Sequence, residues 1–400
     1  MKLARAAFLL VVAATAATAL SAIPTFTLDL ARDPSTRWRG AVKAVVDAHT
    51  WEYSFGGVYA LYGLAFDVID KLVPGIPNAL EAHLAANFPS NYAEINAIAA
   101  EMASLGHPEI NATMLASLAY FYEVAHTREL RASLPPGLYK ACTGILTLPT
   151  DASLPILHGR NMDEQPAAGR NCTLHIRAIN STKGGNATEF EMVDWMWATS
   201  GVYTGFRKNA VTLEMNWRNR GPAESLVEIF NRLLHTPNTW PTVFAYRHIL
   251  QSGMDYDQAR ATFLTSTFAA PFYVIMSGTQ RRGAVLTIAF NRTANNAQFL
   301  SDANLTAAAA GFRTSFMVQT NYDRWLPDPT SDPRRTVAED VLHNIESADR
   351  RGTELGVWMA LGTYPVHNPM TMFTVLMSVG YDSIEGYARR QMLPKDGPRY

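Results

Sequence analysis

The spacing of apolar residues changes near residue 142, and this change constrains the fold more than any other feature of the chain. Before it, apolar residues recur at helical intervals, as in Ile95, Ile98, Met102 and Leu105. The last helical pattern ends at Pro135-Pro136-Gly137, a strong helix breaker. Helices are predicted over 38–48, 66–88, 92–105 and 110–134.

After residue 142 the apolar residues fall in short segments bounded by turn residues, which is typical of strands. Strands are predicted over 142–148, 156–161, 173–179, 210–216, 272–276, 284–290 and 315–319. Helices are predicted between and after them, over 224–235, 244–252, 256–265 and 337–348. Strands, then helices, then strands indicate an α+β fold with an antiparallel sheet, preceded by a helical N-terminal part.

The first residues have the composition of a secretory signal peptide. A basic start, from Met1 to Arg5, precedes an apolar stretch that runs from Ala6 to about Leu20. Small residues follow at Ser21 and Ala22, where cleavage is expected. We predict a signal peptide over residues 1–22; an uncleaved N-terminal anchor is the alternative.

Six N-x-Ser/Thr sequons accompany this leader. Each is a potential acceptor for N-linked glycans, and a glycan requires an exposed position. The sequons begin at Asn111, Asn171, Asn180, Asn186, Asn291 and Asn304. Together with the leader they predict a glycoprotein of the secretory pathway lumen, either lysosomal or secreted.

Charge and histidine spacing exclude several classes of partner. Lys and Arg number 34 against 35 Asp and Glu, and no basic run stands out, so nucleic acid is not an expected partner. No histidine cluster has metal-ligand spacing. We predict neither a metal nor a cofactor. Apolar residues make up 48% of the chain, which is ample for a buried core.

The chain contains only two cysteines, Cys142 and Cys172. A secreted protein of this size often carries disulfides, so one bridge between them is an ordinary explanation. The alternative is that one is kept as a reactive thiol. Cys172 lies inside the sequon that begins at Asn171, which predicts a surface position. Cys142 begins a predicted strand and is the stronger candidate.

Three short sequence motifs, or strings, are candidates for a functional site. They are Ala141–Gly144 (ACTG), His158–Asp163 (HGRNMD) and Gln319–Trp325 (QTNYDRW), the last followed by Asp332–Thr336 (DPRRT). Each has an ordinary explanation: a small core cysteine, two turns, and a solvated arginine pair before a helix.

Taken in order, however, the strings resemble the acid ceramidase and N-acylethanolamine acid amidase family, which is related to bile salt and penicillin V acylases. The resemblance covers nearly the whole mature chain. It begins at Pro24–Leu30 and Arg37-Trp38, runs through the three strings, and continues to Thr363–Val366. It implies an αββα N-terminal-nucleophile hydrolase fold with an added helical subunit.

The resemblance also implies the site. The chain would cut itself between Ala141 and Cys142, giving a helical subunit over 23–141 and a catalytic subunit over 142–400. Cys142 would be the nucleophile, and its freed α-amine the base. Asp163 would hold that amine and Arg160 would position the nucleophile and substrate. Asn321 would donate to the oxyanion, with Arg334 beside it.

These roles agree with the chemistry of the groups. A cysteine with an ordinary pKa of about 8.5 is mostly protonated at neutral pH and requires activation. An α-amine has a pKa of about 7.7–8.0, so it can accept the thiol proton. An uncharged amide such as that of Asn321 suits a developing oxyanion.

The sequence departs from the family in three places. The loop around Asp151–Pro155 is longer than in relatives. The acidic residue expected after the strand at Thr212-Leu213 is shifted by one place, so Glu214 is left without a role. With Cys172 as the only other cysteine, the structural disulfides of acid ceramidases are absent.

The family cleaves amides that join a fatty acyl group to a head group. The strings favour the ceramidase branch, with ceramide as substrate and an N-acylethanolamine as the alternative. Residues 193–196 and the N-terminal helices are candidates for an acyl channel or for ordinary core. The aromatic segment 51–66 is a candidate for membrane contact or a buried helix. A non-catalytic lipid-binding glycoprotein and a protease of the same class are further alternatives.

Overall fold

The computed structural model describes residues 20–125, 127–129, 142–164, 167–183, 188–195, 200–219, 224–290, 295–301, 315–345 and 352–389. Most of the predicted signal peptide, the break at 135–137 and Ala141 lie outside these residues. Leu20–Ala22, the end of the predicted leader, pairs with a strand near the C-terminus.

Helices dominate the described chain before Cys142, as the apolar spacing predicts. Those before Cys142 are α1 (Pro34–Arg37), α2 (Ala41–His49), α3 (Gly57–Leu72), α4 (Ile76–Asn87), α5 (Pro89–Ser104), α6 (Ala112–Ala119) and α7 (Phe121–Ala125). Those after it are α8 (Leu226–His235), α9 (Thr242–Ser252), α10 (Tyr256–Thr265), α11 (Arg334–Asn344) and α12 (Glu354–Gly362). Side-chain capping boxes begin α8 at Ser225 and α10 at Asp255.

Three helix predictions required correction. The pattern over 110–134 is divided at Tyr120 between α6 and α7, and Thr127 beyond them forms an isolated bridge with Glu224. The pattern over 66–88 is divided between α3 and α4, because Pro74 and Gly75 interrupt it and Gly75 has a φ of 81°. The helix predicted over 337–348 begins three residues earlier, at Arg334. This shift brings Arg334 into the first turn of α11.

The strands form two large sheets. They are β1 (Leu20–Ala22), β2 (Thr25–Asp29), β3 (Thr143–Thr147), β4 (Leu157–Asp163), β5 (Thr173–Ile179), β6 (Thr188–Trp195), β7 (Thr204–Arg207), β8 (Val211–Trp217), β9 (Thr239–Trp240), β10 (Thr267–Phe268), β11 (Phe272–Gly278), β12 (Arg282–Ile288), β13 (Asn296–Leu300), β14 (Phe316–Gln319), β15 (Thr371–Ser378) and β16 (Ser383–Arg389). Sheet 1 has the order β1-β16-β15-β4-β3-β14, and sheet 2 the order β13-β12-β11-β8-β7-β6-β5-β2. Within these two sheets, neighbours are antiparallel except β2 and β5, whereas β9 and β10 lie outside both and form a separate two-stranded parallel sheet.

The sheets pack face to face, with helices on the outer sides. Helices α11 and α12 cover sheet 1 through an apolar cluster that includes Ile145, Leu342 and Val357. Helices α9 and α10 contact sheet 2. Sheet 1 is therefore covered on both faces, which explains why every residue of β3 and β15 is buried. The α+β fold predicted from the sequence is confirmed as a four-layer αββα arrangement.

The aromatic segment at 51–66 packs mainly into the core, as the buried-helix alternative predicts. Phe55, Tyr59 and Tyr62 are buried, and the ring of Trp51 stacks on His107. Tyr53 is the exception, with 72% of its surface exposed. Among the described residues, no helix is both long and apolar enough to cross a membrane.

Candidate active site

Cys142 lies where three neighbouring strands of sheet 1 meet at one edge. It immediately precedes β3, which pairs Gly144 with Gln319 of β14 and also with Arg160 of β4. Continuing the two registers places Asn321 on one side of Cys142 and Met162 on the other. Strand pairing therefore brings together residues that are far apart in the chain.

Alternate residues of β4 point to opposite faces of sheet 1. Arg160 points toward sheet 2, where its Nη2 donates to the carbonyl of Met215 at 3.0 Å. Asp163 points toward α11, where its Oδ2 accepts from Nη1 of Arg334 at 3.1 Å. Cys142 lies between them, with its thiol on the side of Arg160 and its carbonyl on the side of Arg334.

The thiol of Cys142 is enclosed. Its Sγ is 3.3 Å from Nη2 of Arg160 and 3.3 Å from Sδ of Met162. Burial raises the pKa of Cys142 to about 11, although the positive charge of Arg160 opposes the increase. Since so little thiolate is present at neutral pH, the nucleophile requires a base that removes its proton.

Asp163 and Arg334 hold the main chain at Cys142. Nη1 of Arg334 donates to the carbonyl of Cys142 at 2.9 Å as well as to Asp163. The hydroxyl of Thr371 donates to Asp163 at 2.5 Å, and the amide of Asn368 at 3.0 Å. Burial raises the pKa of Asp163, while the charge of Arg334 and these hydrogen bonds limit the rise.

Asn321 is fixed at both ends of its amide. Its Oδ1 accepts from Nη2 of Arg334 at 2.8 Å, and its Nδ2 donates to the carbonyl of Trp217 at 2.9 Å. Asp332 in turn accepts from Nε of Arg334 at 2.7 Å and from Nη2 at 2.8 Å. The amide therefore has one orientation, set by a buried arginine with its own carboxylate partner.

A small cavity adjoins the thiol. Its volume is about 20 Å³, and its lining includes Phe121, Tyr122, Met162, Trp195, Tyr203 and Trp217. Aromatic rings thus face Cys142 from both the N-terminal helices and sheet 2. Trp195, inside the segment 193–196 that the sequence left open, belongs to this lining, whereas Val193 is core.

No family model matches the chain. The chain is 26% identical to the acid ceramidase of Rattus norvegicus over 386 residues, which cover 92% of this chain and 86% of that protein. It is 26% identical to the acid ceramidase of Homo sapiens over 390 residues, with the same coverage of both proteins.

The chain is similar to the acid ceramidases over most of its length.

It is also 27% identical to the N-acylethanolamine-hydrolyzing acid amidase of Caenorhabditis elegans over 251 residues, which cover 62% of this chain and 64% of that protein. The solved structure of the Caenorhabditis elegans ortholog of that amidase aligns at 25% identity and a TM-score of 0.48, covering 60% of this chain and 93% of that one.

The five residues predicted as catalytic lie in one cluster: Cys142, Arg160, Asp163, Asn321 and Arg334. Each has at most 4% of its surface exposed. Ala141, on the other side of the predicted cut, lies outside the described residues. Clustering is what the predicted site requires.

Three interpretations that the sequence offered for this region were wrong. Cys172 is fully buried rather than at a surface, although it lies inside a sequon. It is also a free thiol, as is Cys142, so the alternative of a bridge between them does not hold. Arg334 and Arg335 are buried, not a solvated pair.

The predicted glycan acceptors are only partly described. Asn111 is exposed and caps α6, accepting from the main-chain N–H of Met114 at 2.9 Å. Asn171 and Asn180 are half-buried, and Nδ2 of Asn171 donates to the carbonyl of Tyr53 at 2.5 Å. Asn186, Asn291 and Asn304 lie outside the described residues. Of the three described sequons, Asn111 has the exposure that a glycan requires.

Sequence reasoning missed several residues that complete this site. Thr371 and Asn368 support Asp163, and Asp332 supports Arg334. Asp332 was part of a noted string, but the other two are ordinary polar residues in an apolar stretch. Glu214, left without a role, is fully buried beside Arg160, with their Oε1 and Nε 3.8 Å apart.

Proposed function

We propose that the chain is an amidase that cleaves itself between Ala141 and Cys142, then uses Cys142 as an N-terminal nucleophile. The observation that carries this proposal is the enclosure of the Cys142 thiol between Arg160 and an aromatic cavity, with Arg334 at its carbonyl. The coarser statement, that the chain belongs with ceramide and N-acylethanolamine amidases, rests on its homologues.

Self-cleavage is supported by the backbone at Cys142. Its φ is 64°, in the left-handed region that a residue with a side chain rarely adopts. Such a conformation costs about 1–3 kcal/mol and persists only where the surroundings impose it. Here β3 and the hydrogen bond from Arg334 impose it, and cleavage of the preceding peptide bond would relieve it.

Hydrolysis then follows from the positions of the groups. The freed α-amine of Cys142 takes the thiol proton, and the thiolate attacks the substrate carbonyl. The second N–H of the Asn321 amide stabilises the oxyanion, because the first is held by Trp217. The amine leaves with a proton, and water then releases the fatty acid from the thioester. Asp163 orients the α-amine, and Arg160 stabilises the thiolate.

We propose a long-chain N-acyl lipid as the substrate, with ceramide favoured and an N-acylethanolamine as the second candidate. The aromatic lining beside Cys142 supports an apolar acyl group, since each buried CH₂ contributes roughly 0.8 kcal/mol. The cavity beside the thiol is small, and Phe121 and Tyr122 of the helical part line it, so these two side chains would set the space available to the acyl group.

The remaining parts of the proposal concern processing, cellular location and membrane contact. After removal of residues 1–22, a subunit over 23–141 and a subunit over 142–400 stay associated in a lysosomal or secreted glycoprotein. Contact with a membrane surface would bring the enzyme to its lipid. The described residues suggest Tyr53 as one contact, since it is the exposed aromatic of the segment 51–66.

Two measurements test the proposal. N-terminal sequencing of the purified protein should give a chain that begins at Cys142. The mature enzyme should hydrolyse matched ceramides and N-acylethanolamines, with the rate increasing with acyl length in detergent micelles and liposomes. Cys142→Ala protein, which binds but cannot cut, is the control.

Other outcomes have distinct meanings. A preference for short soluble amides would overturn the lipid substrate and leave the nucleophile in place. Lipid binding without hydrolysis by an uncut chain would instead establish the non-catalytic lipid-binding glycoprotein. Hydrolysis of peptides in preference to lipids would establish the protease.

A further inference from the structure

Glu214 occupies a fully buried position between the two sheets, next to the strand that carries the nucleophile. Its Oε2 is 2.8 Å from Nε2 of His158. A Cβ added to Gly144 would come within 2.6 Å of the same oxygen, so β3 accommodates the carboxylate only because residue 144 is glycine. The carboxylate therefore lies against the backbone two residues beyond Cys142.

His158 holds this carboxylate from behind. Its Nδ1 is 2.8 Å from the hydroxyl of Thr212. That hydroxyl accepts the main-chain N–H of Ser277 at 3.0 Å and is 2.6 Å from the Ser277 hydroxyl. When Ser277 donates to Thr212 and Thr212 donates to Nδ1, the Nε2–H of His158 points at Glu214. The network thus fixes the carboxylate in one orientation.

The opposite oxygen of Glu214 faces Arg160. Oε1 lies 3.8 Å from Nε of Arg160, within ion-pair range, and both atoms are buried with no hydrogen-bond partner among the described residues. The other donors of Arg160 are engaged: Nη1 with Tyr203 and Thr204, and Nη2 with Met215 and the Cys142 thiol. Glu214 therefore faces the Nε edge of the guanidinium, while the two Nη groups bind other partners.

We propose that Glu214 is a positioning residue, which, held by His158, fixes the guanidinium of Arg160 against the Cys142 thiol. The inference rests on the proposed function, because it assigns Glu214 to that nucleophile. A guanidinium is planar and rigid, so fixing its Nε edge also fixes the direction of Nη2. A buried guanidinium also requires a nearby opposite charge.

Asp194 is the other carboxylate whose charge acts on Arg160. Its oxygens, however, accept main-chain N–H groups of Trp195 at 2.8 Å and Tyr203 at 2.5 Å. Asp194 therefore braces the segment that carries Tyr203, whereas Glu214 faces the guanidinium itself. This difference leaves Glu214 as the residue that sets the orientation of Arg160.

The decisive variant is Glu214→Gln, which keeps the volume and removes the charge. The measurement is the pH dependence of Cys142 alkylation by iodoacetamide, followed by mass spectrometry in a Cys172→Ser background so that Cys142 is the only thiol. If Arg160 loses its position, the alkylation midpoint moves to higher pH. The turnover number should fall about 100-fold for a displacement of about 1 Å, with KM nearly unchanged.

A second pair of variants separates positioning from other roles. In an Arg160→Met background, Glu214→Gln should have no further effect on the alkylation midpoint, because Glu214 acts through Arg160. Single and double variants are compared in the same cleavage state. The matched control is Glu191→Gln. Glu191 forms another histidine–carboxylate pair, in sheet 2, where Nε2 of His175 and Oε2 of Glu191 are 2.6 Å apart. This pair is partly exposed and lies away from the thiol. Glu191→Gln should leave the midpoint unchanged.

An unchanged midpoint in Glu214→Gln would overturn the proposal. So would a downward shift, which is expected if Glu214 merely opposes thiolate formation by its charge. A shift that persists in the Arg160→Met background would also overturn it. If Glu214→Gln does not fold, Glu214→Asp keeps the charge but withdraws it from Arg160, and the same upward shift is expected. Alkylation uses no lipid, so failure of the substrate assignment leaves this test intact.

Discussion

Among the described residues, two of the buried clusters of charge differ in kind, and one of the two has the features of an active site. The first surrounds Cys142. The second surrounds Glu94 of α5, whose carboxylate accepts from Arg247 of α9 at 2.7 and 2.9 Å. Trp38 and Ser200 also donate to Glu94, each at 2.7 Å. This second cluster joins the helical N-terminal part to the sheet-bearing part.

The two clusters differ in how completely their groups are paired. Burial would raise the pKa of Glu94, but the charge and hydrogen bonds of Arg247, with those of Trp38 and Ser200, hold it below its usual value. Burial instead prevails at Cys142 and Asp163, whose pKa values are raised. A buried carboxylate whose charge is balanced by an arginine and by further hydrogen bonds is a structural anchor. Incompletely compensated groups beside a nucleophile and a cavity are able to react.

The largest effect is expected from Cys142→Ala. This variant should abolish both self-cleavage and hydrolysis, because the nucleophile of both reactions is the same thiol. Alanine is small and apolar, so the fold and the Glu94 cluster should be unaffected. Gel mobility under reducing conditions and a lipid hydrolysis assay check the two losses. An uncut Cys142→Ala chain that still hydrolyses lipid would remove Cys142 from the site.

Glu94→Ala should lower the stability of the fold and leave the hydrolysis rate nearly unchanged. Removing one partner of a buried ion pair strands the other charge, which typically costs about 3–5 kcal/mol in the free energy of unfolding. The rate per folded molecule should stay near that of the parent, because Glu94 does not contact the site. Denaturant unfolding and active-site titration separate the two quantities.

Asp47→Ala is the matched control, since it breaks an exposed Lys43–Asp47 pair. Its cost should be below about 1 kcal/mol. Equal stability losses in Glu94→Ala and Asp47→Ala would contradict the anchoring role of Glu94.

Asn321→Ala should lower both the hydrolysis rate and the free energy of unfolding. The hydrolysis rate should fall by about 100- to 1000-fold if Asn321 is an oxyanion donor. Because Asn321 is fully buried and hydrogen-bonded to Trp217 and Arg334, a stability loss of about 1–3 kcal/mol is also expected. Turnover should be measured well below the melting temperature. If the variant is destabilised but keeps the turnover of the parent, Asn321 has a structural role like that of Glu94 and is not an oxyanion donor.

A further effect concerns the pH dependence of stability. Burial raises the pKa of Glu123 from 4.5 to about 7 and that of Asp194 from 3.8 to about 7. Between pH 4 and 7 the folded protein therefore retains protons that the unfolded chain releases. The contribution of these two groups to the free energy of unfolding is then largest at acidic pH and declines as the pH rises to about 7.

Urea unfolding at pH 5 and pH 7.5 checks this contribution. In Glu123→Gln and Asp194→Asn, the decline between the two pH values should be smaller than in the parent. Glu94→Gln serves for comparison, since the lowered pKa of Glu94 gives the opposite sign: its contribution is lost only on acidification. A decline of the same size in all three variants would show that Glu123 and Asp194 are not its source.

The sequence by itself determined the fold class and the identity of the predicted catalytic residues. Apolar spacing distinguishes helix from strand because the two structures repeat every 3.6 and every 2 residues. Motif strings marked Cys142, Arg160, Asp163, Asn321 and Arg334, and the structure gathers all five. The N-terminal leader, the cut at Ala141 and glycosylation at all six sequons remain predictions.

Tertiary structure alone decided which polar residues support that site. Thr371, Asn368 and Glu214 lie in stretches that read as ordinary strand or loop, and their importance comes from partners more than 50 residues away. The burial of Cys172 and Arg334 was decided in the same way, by covering elements that local sequence does not reveal. Local spacing specifies which side of an element faces inward, but only the packing of sheet on sheet and helix on sheet specifies what that side meets.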